Sequence, residues 1–66
     1  MTYTIRQARR LAEKSQRASA QAIGVCEQTY RKLENNPEMA TVKQAKELAS
    51  FFGVPYDDII FTRDSN

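Results

Sequence analysis

Apolar residues recur at three- and four-residue intervals along most of this chain, which is the spacing of an amphipathic helix. In the first such segment, Ile5, Ala8, Arg9 and Ala12 fall on one face. Four further segments share the spacing, and no segment is a credible strand. The pattern predicts five helices around a thin core. The main members of that core are Ile5, Ile23, Val25, Tyr30, Leu33, Val42, Leu48, Phe52, Val54, Tyr56 and Ile59.

Capping and helix-stop residues set the predicted ends of these helices. Thr4, Ser15 and Thr41 carry the side-chain oxygen that caps the first, second and fourth helices, and the third begins near Cys26 or Glu27. The predicted stops are Gly24, Asn35-Asn36-Pro37 and Gly53, and Pro55 opens a short fifth helix with Asp57 and Asp58 in its first turn.

The length of 66 residues predicts one small domain, which we place at residues 1–61, with a loose tail at 62–66. The chain has one Cys and no His, and no Gly-rich phosphate loop or convincing nucleophile–base pair. We therefore expect no enzyme activity, no small-molecule substrate and no cofactor or metal. No apolar run approaches a membrane span and no signal peptide is evident, so we expect a soluble cytoplasmic protein without a membrane partner.

Charge is distributed unevenly along the chain. Residues 1–33 hold seven basic and two acidic residues, a balance of +5, whereas residues 34–66 hold three basic and six acidic ones, a balance of −3. This asymmetry indicates a face suited to a polyanion, although small helical domains also scatter charge unevenly without such a role.

Residues 15–35 give the chain its most specific pattern. They predict a short helix, a tight turn at Gly24-Val25, and a second helix with Glu27, Gln28, Arg31 and Lys32 facing outward. Two helices joined by a short turn containing Gly form the outline of a helix-turn-helix, whose second helix can enter a DNA major groove.

Two charged residues fall on the inner side of this arrangement. Arg9 lies on the apolar face of the first helix, and Glu34 follows Tyr30 by four residues on the apolar face of the third. Because a lone buried charge is costly, we expect Arg9 and Glu34 to pair with each other.

The ordered set of these features resembles the Cro/CI-type helix-turn-helix family of phage repressors and small bacterial regulators. The resemblance covers residues 4–61 and rests on Ile5 and Arg9, Ser15-Gln16, Ala20, Ile23-Gly24-Val25, Leu33-Glu34-Asn35, Gly53-Val54 and the run from Tyr56 to Phe61. It implies an all-α, compact five-helix repressor-like domain, with the helix-turn-helix formed by helices 2 and 3. It also implies that Arg9 and Glu34 form an internal salt bridge.

The resemblance implies a DNA-binding surface on helices 2 and 3. Gln16 matches a position that touches a phosphate and can brace the recognition helix, and the outward residues of helix 3 match positions facing base edges or phosphates. The candidate DNA-binding residues are Gln16, Arg17, Glu27, Gln28, Arg31 and Lys32. Gln28 can form two hydrogen bonds to adenine. Glu27 can accept a hydrogen bond from cytosine, or it can simply interact favourably with the helix dipole. Arg31 and Lys32 can bind phosphate or guanine, or they can be ordinary solvated residues.

These features together predict a sequence-specific regulator of transcription that binds double-stranded DNA, a repressor of phage or bacterial type. We expect a homodimer on a two-fold site, with Phe51 and Phe61 as its candidate dimer surface. Phe51 lies about 180° from Val42 around the fourth helix and should face away from the core, unless the last helix covers it. The alternative is a protein-interaction module of the same fold, antirepressor-like or antitoxin-like, which the Pro37-Glu38 loop and the low net charge favour.

Overall fold

The computed structural model describes residues 2–60, which form four α-helices and a two-stranded parallel ribbon. The helices are α1 (Ile5–Leu11), α2 (Gln16–Ala22), α3 (Glu27–Asn35) and α4 (Val42–Phe52). Single 3₁₀ turns lie at Pro37–Met39 and Tyr56–Asp58. The ribbon pairs β1 (Tyr3–Thr4) with β2 (Ile59–Ile60), so that Tyr3 lies opposite Ile59 and Thr4 opposite Ile60.

The predicted fifth helix and the predicted absence of strands are both wrong. After Pro55 the chain makes one 3₁₀ turn, closed by a 2.9 Å hydrogen bond from the Asp58 N–H to the Pro55 carbonyl, and then extends. Two successive β-branched residues, Ile59 and Ile60, favour this extended backbone, and β1 supplies the partner that a single sequence segment does not reveal.

Side-chain caps fix the starts of three helices where the sequence predicts them. Thr4 and Gln7 form a capping box on α1, with hydrogen bonds of 3.1 Å to the Thr4 hydroxyl and 2.9 Å to the Gln7 side chain. Thr41 and Gln44 form the same box on α4 at 3.0 Å each. The Ser15 hydroxyl accepts a 2.9 Å hydrogen bond from the third residue of its helix. These caps satisfy N–H groups that a helix leaves unpaired.

The helix α3 starts without such a cap. Cys26 has the extended backbone of a capping residue, but its side chain accepts no hydrogen bond from the helix backbone. Its Sγ lies instead 3.1 Å from the Thr29 hydroxyl oxygen, and this contact lowers the pKa of the exposed thiol.

Left-handed backbone turns the chain between the helices. Gly24, with φ of 73°, closes the turn between α2 and α3, and Gly53, with φ of 74°, ends α4. Glu13 adopts φ of 57° after α1 without being glycine, a conformation that costs energy for a residue with a Cβ. The three turns hold the helices close enough to share one core.

The core lies where the four helices and β2 meet, and Tyr30, Ile5 and Leu48 are among its fully buried members. Two predicted core residues are exposed, Val42 at 61% and Tyr56 at 38%, while Val25 and Val54 are only partly buried. Val42 lies on the buried side of α4 but one turn before Ala45, the first residue of that helix to be buried. It therefore extends past the edge of the core.

Phe51 differs from its predicted position facing away from the core. It is half-buried and packs against the core cluster, with its ring tilted against that of Phe52 at a centroid distance of 5.8 Å. Phe51 follows the buried Leu48 by three residues, so the two side chains are only about 60° apart around α4. The ammonium of Lys14 lies 5.1 Å from the Phe51 ring centroid and covers its outer side. Phe61 lies outside the described residues.

Candidate nucleic-acid interface

Helices α2 and α3 form a helix-turn-helix, and no other part of residues 2–60 covers the outer face of α3. The turn between them is held by a 3.0 Å hydrogen bond from the Val25 N–H to the Ala20 carbonyl. On α3, Tyr30, Leu33 and Glu34 are buried, whereas Gln28, Thr29, Arg31, Lys32 and Asn35 are exposed. The buried set anchors the helix, and the exposed set faces solvent.

The buried carboxylate of Glu34 joins three helices. Arg9 of α1 donates from Nε to Glu34 Oε2 at 2.6 Å, so the structure brings together the pair that the sequence predicts. Gln16 of α2 donates from Nε2 to Glu34 Oε1 at 3.2 Å. Burial alone would raise the pKa of Glu34, but hydrogen bonds from Arg9 and Gln16 and the charge of Arg9 outweigh it and hold the pKa below its usual value.

Sequence inspection missed a third partner of this carboxylate. Arg6 donates from Nε to Glu34 Oε1 at 3.3 Å and from Nη2 to Asn35 Oδ1 at 2.9 Å. Arg6 precedes Arg9 by three residues, so the two guanidinium groups lie on neighbouring positions of α1. That spacing could have indicated a second arginine near Glu34, although Arg6 is itself exposed.

Gln16 extends the hydrogen-bond network outward to the exposed face of α3. While its Nε2 donates to Glu34, its Oε1 accepts a 3.3 Å hydrogen bond from Arg31 Nε. Arg31 also donates from Nη2 to Glu27 Oε2 at 2.6 Å, an ion pair across one turn of α3. The structure thus brings together three candidate DNA-binding residues, Gln16, Glu27 and Arg31, in one connected set.

The other three candidates stand apart from this network. Gln28, Lys32 and Arg17 are exposed, and within residues 2–60 their side chains make no hydrogen bond or ion pair. Their donors and acceptors are therefore available to a binding partner without breaking a contact described in the structure.

The charge of the helix-turn-helix surface is positive. Between residues 16 and 35 the bases are Arg17, Arg31 and Lys32, and the acids are Glu27 and Glu34. Glu34 is buried and paired with Arg9, so it contributes little to the outer field. Three cations against one partly exposed carboxylate can attract a polyanion, and groups that donate and accept hydrogen bonds lie among them.

Two other kinds of site are not found in the described part of the chain. Residues 2–60 contain no group of three or more His, Cys, Asp or Glu side chains arranged to hold a metal ion. None of the helices formed by these residues has the length and apolar character needed to span a bilayer.

Comparison with known proteins agrees with this geometry. A helix-turn-helix family, the Cro/CI type, matches residues 5–59, from the start of α1 to the first residue of β2. Searches of curated proteins and of solved structures gave no significant match. Because the family match spans most of the sequence and includes the observed α2–turn–α3 unit, the chain belongs to the Cro/CI-type helix-turn-helix family.

Proposed function

We propose that this protein is a sequence-specific regulator of transcription, a repressor that binds double-stranded DNA by placing α3 in the major groove. The family is one of DNA-binding regulators. The observation that carries the finer proposal is the outer face of α3, where Gln28 and Lys32, which have no side-chain partner within residues 2–60, lie beside a hydrogen-bonded Arg31. Such a face combines groups that can recognise base edges with groups that can bind phosphates.

The dimensions of α3 support this placement. An α-helix with its side chains is about 10–12 Å across and fits a major groove about 12 Å wide, and the nine residues of α3 span about 13.5 Å along the helix axis. In helix-turn-helix proteins the first residues of the second helix contact the bases, and the first helix crosses the backbone. Gln28 then faces base edges, and Lys32, one turn further on, meets a phosphate.

Residues of α2 would contact the DNA backbone in this arrangement. Gln16 uses one amide hydrogen toward Glu34, which leaves a second one for a phosphate oxygen. Arg17 is exposed beside it and can supply a charged phosphate contact. These contacts would fix the position of α3 without carrying sequence information.

A domain this small reads only a few base pairs, so we also propose that it binds a two-fold site as a homodimer. The proposed dimer surface is formed by Phe51 and Phe61. Phe51 retains partial exposure at the edge of the core.

The test begins with binding sites selected from a random duplex library. Gln28→Ala should weaken binding to the selected site by about 1–3 kcal/mol and relax preference at one base pair, while binding to random DNA changes little. Lys32→Ala is the matched control, since it should weaken binding to all sequences alike and reduce the slope of log K against log salt by about one unit.

The same measurements separate DNA binding from protein interaction. If unmodified protein binds duplex DNA without steep salt dependence and selection yields no preferred site, the proposal is wrong and the protein-interaction module becomes the better hypothesis. If Gln28→Ala leaves affinity and preference intact on a selected site, Gln28 does not contact a base edge.

A further inference from the structure

The Arg31 side chain has one of its two hydrogen-bonding edges already occupied. A guanidinium carries five N–H groups, arranged as a side edge formed by Nε and Nη2 and an end edge formed by Nη1 and Nη2. Gln16 Oε1 accepts from Nε at 3.3 Å and Glu27 Oε2 accepts from Nη2 at 2.6 Å. Both atoms of the side edge are therefore bonded within the protein.

The end edge of Arg31 remains available. The Nη1 group and the second hydrogen of Nη2 make no hydrogen bond within residues 2–60, and the side chain is 55% exposed. Two parallel donors on a planar group match a pair of acceptors on one partner. In the major groove, guanine presents such a pair, O6 and N7, and Arg bonded to both is the commonest specific contact.

We propose that Arg31 recognises a guanine through its Nη1–Nη2 edge, with Glu27 and Gln16 as positioning residues that hold the guanidinium in place. This inference rests on the proposed DNA-binding function and names one base that α3 recognises. It assigns Arg31 to base recognition and leaves phosphate binding to Lys32 and Arg17.

Electrostatics favours a base over a phosphate at this position. The Glu27 Oε2 atom lies 2.6 Å from Arg31 Nη2, and its negative charge offsets that of the guanidinium. The pair therefore attracts a phosphate less than an isolated arginine does, and the Glu27 carboxylate repels the phosphate. Guanine carries no net charge, so the orientation of the donors matters more than the charge of the pair. A guanidinium held at two atoms also loses less conformational freedom on binding.

The first experiment changes the DNA and leaves the protein intact. In the site selected for the unmodified protein, each guanine in turn is replaced by 7-deazaguanine, which lacks the N7 acceptor but keeps its base pairing. We expect one guanine whose replacement weakens binding severalfold. That same replacement should not weaken binding of Arg31→Ala any further. Lys32→Ala is the control and should respond to the replacement as the unmodified protein does.

The second experiment changes the protein. Arg31→Ala should reduce the preference for guanine over other bases at that position by roughly 5- to 150-fold, which is the equivalent of one bidentate contact. Glu27→Ala frees Arg31 and removes a repelling carboxylate, so binding to random DNA should tighten while the preference for guanine decreases. Far-ultraviolet circular dichroism checks that both variants keep the helical fold.

Two results would contradict the inference in distinguishable ways. If Arg31→Ala weakens selected and random DNA equally, and no 7-deazaguanine replacement acts through Arg31, then Arg31 binds phosphate while DNA binding by α3 stands. If the unmodified protein shows no salt-dependent binding to any duplex, the proposed function is wrong and this inference is wrong with it.

Discussion

A single buried carboxylate, that of Glu34, determines how α1, α2 and α3 are held together. Its two oxygens accept hydrogen bonds from Arg9, Arg6 and Gln16, and its side chain is fully buried. Removing one partner of a buried ion pair typically costs about 3–5 kcal/mol, because the other charge is left uncompensated. In a domain with a thin core, that loss is a large fraction of the total stability.

Stability should depend on pH through Glu34. Its pKa in the folded protein lies below the ordinary value of 4.5, so as the pH falls the unfolded chain takes up the proton first. The stabilising contribution of Glu34 is complete above about pH 4.5 and decreases as the pH falls through the folded-state pKa. Denaturant unfolding at several pH values from about 3 to 7 measures this change of unfolding free energy with pH.

Glu34→Gln is the control for the pH dependence. It keeps the shape of the side chain but cannot titrate, so its unfolding free energy should vary less below pH 4.5 than that of the unmodified protein. Equal slopes for the two proteins would show that Glu34 does not contribute to acid sensitivity.

Tyr30 offers a second test at the scale of one residue. Its hydroxyl oxygen is buried and has no hydrogen-bond partner of acceptable geometry within residues 2–60. Burial raises the pKa of Tyr30 far above its usual value, and the nearby Glu34 carboxylate raises it further, so the hydroxyl stays neutral. Tyr30→Phe should stabilise the protein by about 1 kcal/mol, because it removes an unpaired buried polar group.

Thermal or denaturant unfolding measures the effect of Tyr30→Phe. Tyr3→Phe is a matched control, because it deletes the same hydroxyl from a residue that is only half-buried. A loss of about 1 kcal/mol in Tyr30→Phe would instead mean that the hydroxyl donates a hydrogen bond to Glu34 in solution.

Among the helices, α3 differs from α2 in how it begins. Ser15 caps α2 with a 2.9 Å hydrogen bond, whereas Cys26 has the backbone of a cap but provides no cap hydrogen bond. Ser15→Ala should therefore destabilise the protein by about 0.5–2 kcal/mol, and Cys26→Ser should stabilise it by up to about 1 kcal/mol. Denaturant midpoints measure both.

A matched variant isolates the cap at Cys26. Cys26→Ala removes the thiol without supplying an oxygen, so Cys26→Ser should be the more stable of the two. Equal stability of the two variants would indicate that a hydroxyl at position 26 does not cap α3.

Most helix ends of this fold were predictable from the sequence because their causes are local. Thr4, Ser15 and Thr41 act on N–H groups three residues away, and Gly53 ends α4 by its own backbone conformation. The Arg9–Glu34 pairing was also predictable, because a charge on each of two inward faces leaves few alternatives.

The features missed by the sequence prediction depend on distant partners. Ile59 and Ile60 become a strand only because β1 lies beside them, and helical spacing alone does not reveal that neighbour. The exposure of Val42 depends on where the core ends. The half-burial of Phe51 depends on which residues pack beside α4. The family resemblance implied that Gln16 can brace α3, but it did not indicate Arg31 as the partner. The contacts that carry DNA recognition stay predictions.

For the whole molecule, oligomeric state decides how such a small surface achieves useful affinity. If Phe51 and Phe61 form the dimer surface, replacing both with Ser should abolish self-association. Because Phe51 also packs against the core, far-ultraviolet circular dichroism must show that the variant keeps its helical fold. Binding to a two-fold site should then fall far more than binding to a half-site. Sedimentation with and without DNA measures the assembly, and titration of the two duplexes measures the binding.

The exposed pair Met39 and Val42 serves as the control for the dimer test. Both side chains are about as apolar as the proposed surface and more than half exposed, at 60% and 61%. Polar replacements there should leave assembly unchanged. A protein that sediments as a monomer at high concentration both free and on DNA would rule out the proposed dimer.

The pairing of β1 with β2 has a consequence for the order of folding. The helix caps and the turns join residues a few positions apart, whereas this ribbon joins segments near opposite ends of the described chain. A loop that long closes at a higher entropy cost than a single helical turn, and non-local contacts of this kind form slowly. We therefore expect the ribbon to form last and to open first, while α2 and α3 stay assembled around Glu34.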